Sequence, residues 1–199
     1  MRSLKPIYEE ILSYAVMLRT DNTDKGLLQG FNKLVSYVAT KESYKGVHTE
    51  VFKIVEFELL KTFDIDLLKS EVRDWFTETI EYANLIPVFH KVRYNKILKE
   101  TEEVYNQLGK VAPTILITDK QSQRLMVKLY KRLGKNVIYN VVVSDIMFYH
   151  IALLNAHLYN IPAMILHADP NVHTIELQSP NWNTANVWDP AITTKGLEL

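Results

Sequence analysis

The chain has 199 residues, 47% of them hydrophobic and 23% charged, a composition that excludes a disordered, collagen-like or low-complexity protein. Lysine and arginine number 23 against 23 acidic residues, and the balance holds at 15 to 15 in residues 1–100 and 8 to 8 in residues 101–199, so global charge does not announce a nucleic-acid or membrane binder. The absence of cysteine excludes a disulfide scaffold, a thiol nucleophile and a cysteine-ligated metal, and the lack of any long apolar run points to a cytoplasmic protein with no membrane span.

Residues 1–108 read as helices alone. Ser3 can cap the first, with Pro6 in its first turn and Ile7, Ile11, Tyr14, Ala15 and Leu18 at helical spacing. After the polar break at residues 20–24, Leu27, Leu28, Phe31, Leu34, Val35 and Val38 line a second helix. Val51, Ile54, Val55, Leu59 and Phe63 mark a third. Asp64 or Asp66 can cap a fourth that carries Leu67, Leu68, Val72, Trp75, Phe76 and Ile80 and ends before Pro87. A fifth is expected from about Val92 to Leu108, stopped by Gly109.

From residue 109 the texture alternates. Strands are expected at 112–118, 137–143, 164–168 and 172–178, with helices at 120–134 and 145–160 between the first three. Short links and β-branched runs of this kind suit a right-handed parallel sheet. The reading is thus α/β: an N-terminal helical bundle, residues 1–108, followed by a Rossmann-like domain, residues 109–199.

Ligands of open α/β sheets bind beyond the carboxyl ends of the strands. Here Asp119 follows the first strand, Asp145 the second and Asp169 the third, and Ser179-Pro180-Asn181-Trp182 follows the fourth. A carboxylate after the second strand can accept two hydrogen bonds from a ribose diol. The same aspartates also serve as ordinary helix caps, Asp145 above all. A basic run, Arg124, Lys128, Lys131, Arg132 and Lys135, shares one helix face and can track phosphates, although such a run is also an ordinary solvated face. His150 and His157 stand two helical turns apart, about 10 Å, too far for one metal ion, and no metal site is expected.

Residues 112–182 resemble the cofactor half of S-adenosylmethionine-dependent N6-adenine DNA methyltransferases that carry a helical N-terminal domain. The carriers are Asp145 with the helix end IALLNAHLYNIP (151–162), HAD (167–169) after the third strand, and the tetrapeptide Ser179-Pro180-Asn181-Trp182, which meets the family's Asn/Asp/Ser-Pro-Pro-aromatic motif at three of four places. The resemblance implies that Asp119, Asp145 and Asp169 would hold S-adenosylmethionine and that Ser179 to Trp182 would handle a flipped adenine.

Three departures shape the functional reading. Residues 119–124, DKQSQR, contain no glycine where the family has its glycine-rich loop, which needs positive φ and close backbone approach. Asn181 replaces the second proline. Only 17 residues follow Trp182, so a sheet truncated relative to the family is expected. The expectation is a non-catalytic methyltransferase-like protein of a phage or mobile element, without a cofactor. It would bind a protein partner or DNA, as against a restriction or other defence system. The alternative is an adenine-N6 DNA methyltransferase or a fragment of one, using S-adenosylmethionine. Val172, Ile175 and Leu177 on an open edge, with Trp182 and Trp188 in a weakly charged tail, add the expectation of a homodimer.

Overall fold

A computed structural model describes residues 4–40, 68, 71–87, 91–108, 113–169, 174–178 and 197–198. The chain divides into two units, Met1–Val88 and Phe89–Leu199. The helix expected over 92–108 therefore falls with the sheet, whereas the sequence reading set the division at 108.

In the first unit, α1 (Lys5–Leu18) and α2 (Asp24–Thr40) form a helical hairpin against α3 (Trp75–Tyr82). The turn between α1 and α2 is built locally. The Thr23 amide donates to Asp21 Oδ1 at 2.8 Å, and Thr23 Oγ1 accepts from the Gly26 amide at 3.0 Å, capping α2. Ile11, Ala15 and Leu18 of α1 meet Phe31, Leu34 and Val35 of α2 and Trp75 and Ile80 of α3 in a buried core. Gly30 lets the hairpin close: a Cβ there would lie 2.2 Å from the Ala15 carbonyl oxygen. The expected fourth helix is interrupted: Leu68 is helical, but the helical stretch does not run on unbroken to Trp75. Residues 71–74 are not helical, and the helix begins at Trp75 with Asp74 as its cap, accepting from the Thr77 amide at 3.4 Å. Ser3, Asp64, Asp66, Gly109 and the expected third helix lie outside the described residues.

In the second unit, α4 (Lys91–Gln107) precedes β1 (Thr114–Ile117), α5 (Ser122–Leu133), β2 (Ile138–Val143), α6 (Ile146–Tyr159), β3 (Ala163–Asp169), β4 (Thr174–Gln178) and β5 (Leu197–Glu198). The sheet order follows the chain, β1-β2-β3-β4-β5. β1, β2 and β3 are parallel, in register Ile117↔Val141 and Val141↔Ile165. Both crossovers step the same way, so right-handedness puts α5 and α6 on one face, where they pack together. Ile117, Tyr139, Val141, Val143, Ala163, Ile165 and His167 are buried, whereas the alternate positions Leu116, Ile138, Asn140, Val142, Met164 and Leu166 are exposed or half-exposed. α4 lies along α5: the Tyr94 hydroxyl donates to Asp119, and Arg132 Nη1 donates to Glu102 Oε2 at 2.8 Å.

The fourth strand corrects the sequence reading. A doubly wound sheet places its fourth strand beside the first. Here β4 turns back antiparallel on β3, with Leu166↔Gln178 and Asp169↔Thr174 in register. On its far side, where an open edge was expected, β5 pairs with the first two residues of β4, Thr174↔Glu198 and Ile175↔Leu197. No helix among the described residues is long and apolar enough to cross a membrane.

Candidate functional site

The carboxyl ends of β1, β2 and β3 lie side by side, and the three aspartates stand along that edge. Asp119 organises the turn into α5. Its carboxylate accepts from the Gln121 amide at 3.0 Å and from the Tyr94 hydroxyl, while its carbonyl accepts from the amide (3.0 Å) and the hydroxyl of Ser122. The Arg124 and Leu125 amides reach the Gln121 carbonyl at 3.0 and 3.1 Å. The start of a helix offers amides to a phosphate only when they are uncommitted, and these four serve the turn. The turn also closes without glycine-type geometry: among the described residues only Asn84, Gly134 and Asn160 have positive φ. Ser122, Gln123 and Arg124, which open α5 after this turn, are buried.

Asp145 is the N-cap of α6. Its Oδ1 accepts from the Met147 amide at 2.9 Å and the Phe148 amide at 3.2 Å, and the side chain is exposed. The helix ends on Asn160 in the left-handed region, φ 52°, a conformation asparagine tolerates. Asp169 closes β3, paired with Thr174; its side chain lies outside the described residues, as do Ser179, Pro180, Asn181 and Trp182.

The basic set does not share one exposed helix face: α5 ends at Leu133, and Lys135 lies in the 3-10 turn Gly134–Asn136 beyond it. Arg124 is buried, Lys128 is half-buried, and only Lys131, Arg132 and Lys135 are exposed. Of these, Arg132 is ion-paired with Glu102.

A cluster the sequence reading did not assemble lies between the first turns of α6 and the end of β3. The ring of Tyr149 lies 5.6 Å from that of His150 and 5.8 Å from that of His167, all three buried. Burial, and secondarily the nearby His167, pushes the His150 imidazole down to about 4. Burial also raises the Tyr149 phenol and lowers His157. The pattern that could have located the cluster is the strand alternation, which sets His167 on the same face as Ala163 and Ile165. Among the described residues no three His, Cys, Asp or Glu side chains gather as metal ligands do.

Compared with family models, with curated proteins and with solved structures, the chain matches none.

Proposed function

We propose that this protein is a non-catalytic binder, a Rossmann-like α/β protein with a methyltransferase-like pattern that acts by engaging a protein partner. The observation that carries this reading is the β1–α5 turn. Its amides serve Asp119 and Gln121, and Ser122, Gln123 and Arg124 are buried where a nucleotide's phosphates or methionine moiety would need open backbone. The parallel run β1-β2-β3 with two helices on one face accords with the cofactor half of the methyltransferases, whereas the antiparallel β4 departs from their strand order. A protein partner fits better than DNA, because burial of Arg124 and pairing of Arg132 with Glu102 break up the basic stripe. Given the resemblance to modification methylases, the partner class is a subunit surface of a restriction or other defence complex, and the source a phage or mobile element. The homodimer stays within this proposal, through a surface other than the β4 edge that β5 occupies.

The alternative, an adenine-N6 methyltransferase, draws on the exposed Asp145, whose Oδ2 makes no hydrogen bond among the described residues. Calorimetric titration of the full chain with S-adenosylmethionine separates the two. No binding heat is expected at tens of micromolar, and a low-micromolar dissociation constant overturns the non-catalytic reading. A gel shift with duplex DNA is expected to stay blank at low salt; a salt-sensitive shift would move the partner from protein to DNA.

A further inference from the structure

The buried polar groups at the start of α6 are not used by the proposed binding function. Helix α6 is apolar around its circumference: Met147, Tyr149, Ile151, Ala152, Leu153 and Leu154 are all buried. Within that setting sit His150 and, facing the same layer from β3, His167, with the Tyr149 ring against both. His150 Nδ1 and the Tyr149 hydroxyl have no hydrogen-bond partner among the described residues.

We propose that the junction of α6 with β3 is an acid-triggered latch, in which protonation of His150 beside His167 frees the first turns of α6 from the sheet. The elements packed on α6 are α5, β2 and β3. Their buried or half-buried titratable side chains are Arg124, Lys128 and Tyr130 on α5, the last donating to the Tyr159 carbonyl of α6, Tyr139 on β2 and His167 on β3; α6 itself adds Tyr149, the half-buried His157 and the exposed Asp145, which is tied to its cap. No aspartate or glutamate among the described residues of this unit is buried. An imidazolium formed at His150 therefore sits beside a second imidazole, with no buried carboxylate among the described side chains of this unit to compensate it.

The direction of the effect follows from where the proton binds first. His150 titrates near 4 in the folded chain against 6.5 when exposed. As pH falls, the opened state takes up the proton before the closed one does. The closed junction thus keeps its full advantage above about pH 6.5 and loses it progressively down to about pH 4. One such proton multiplies the opening constant about tenfold per pH unit inside the window, or about thirtyfold between pH 7.5 and pH 5.

Amide hydrogen exchange of the full chain, corrected for intrinsic rates, reads this segment by segment. Between pH 7.5 and pH 5, amides in the first turns of α6 are expected to lose protection by about thirtyfold, while α1 and α2 keep theirs. His150→Phe, which retains a buried ring without the titrating nitrogen, is expected to remove most of that loss. His150→Gln supplies the same test should the phenylalanine variant not fold. Equal acid sensitivity in wild type and variants, loss spread evenly over the chain, or no loss at all would each overturn the latch.

Discussion

Asp119 and Asp145 each stand two residues beyond the strand they follow, yet they are held differently. Asp119 is half-buried and bridges α4 to the β1–α5 turn, whereas Asp145 is exposed and caps its own helix. A cap of this kind contributes about 1 kcal/mol, with a smaller share from a negative charge at a helix N-terminus. Asp145→Ala is therefore expected to lower the stability of the full chain by about 1 kcal/mol in a urea titration. Asp145→Asn, which caps as well but lacks the charge, should lose well under half of that. A variant pair that is equally stable to wild type would show that the cap is not what Asp145 supplies. The capping role was legible in the sequence, because an aspartate directly before an apolar helical run has few other local uses. The fate of Arg124 was not. Helical spacing puts it in line with Lys128, Lys131 and Lys135, but spacing cannot tell that α5 lies between α4, α6 and the sheet, which bury almost the whole of its first two turns.

At the scale of elements, close packing and strand direction tell two different stories. The α1–α2 hairpin rests on Gly30, where an added Cβ would meet backbone: the Ala15 carbonyl oxygen at 2.2 Å and the Arg19 amide nitrogen at 2.8 Å. Alanine in a helix interior gains up to about 1 kcal/mol over glycine. Overpacking that must move a neighbouring backbone costs about 1–3 kcal/mol, and at these distances the clash outweighs the propensity. Gly30→Ala is expected to reduce the stability of the full chain by about 1–2 kcal/mol net, read as a lower denaturation midpoint with unchanged slope. A raised midpoint would mean the helices can part cheaply. Strand positions, by contrast, came directly from the β-branched runs: 112–118, 137–143, 164–168 and 172–178 contain or overlap β1 to β4. The direction of β4 did not come with them, since alternation is the same for parallel and antiparallel strands. A signal for it was nonetheless present. Only residues 170–173 separate β3 from β4, too few for a parallel crossover, which needs a dozen or more. The break before Trp75 had a weaker signal. Val72 fits the helical period, but Asp74 is a cap residue directly ahead of Trp75 and Phe76.

For the whole molecule, the division between units decides which pieces can stand alone. The change in texture at residue 109 is real in the sequence: strands begin there, and glycine and proline become more frequent. Packing, however, follows contacts rather than texture. α4 reads as one more helix of the front half, yet its Tyr94 and Leu98 are buried and it is joined to the α/β layer by Tyr94 with Asp119 and by Glu102 with Arg132. Removing it would strip cover from α5, whose first turn holds the buried Ser122, Gln123 and Arg124. Two large buried side chains contribute about 1.5–3 kcal/mol each, against a total stability of about 5–15 kcal/mol for a domain. Their loss, about 3–6 kcal/mol before the bridge to Asp119 is added, takes most of a margin at the low end of that range. A fragment of residues 89–199 is therefore expected to unfold in one cooperative urea transition with dispersed amide signals, while a fragment of residues 109–199 should show collapsed signals and no transition. The first unit supplies the complementary measurement. Its core of Ile11, Ala15, Phe31, Leu34, Trp75 and Ile80 lies wholly within residues 1–88, so a fragment ending at 88 should resist proteolysis as well as one ending at 108. Should 109–199 fold as stably as 89–199, α4 would belong with the front helices and the boundary would return to residue 108.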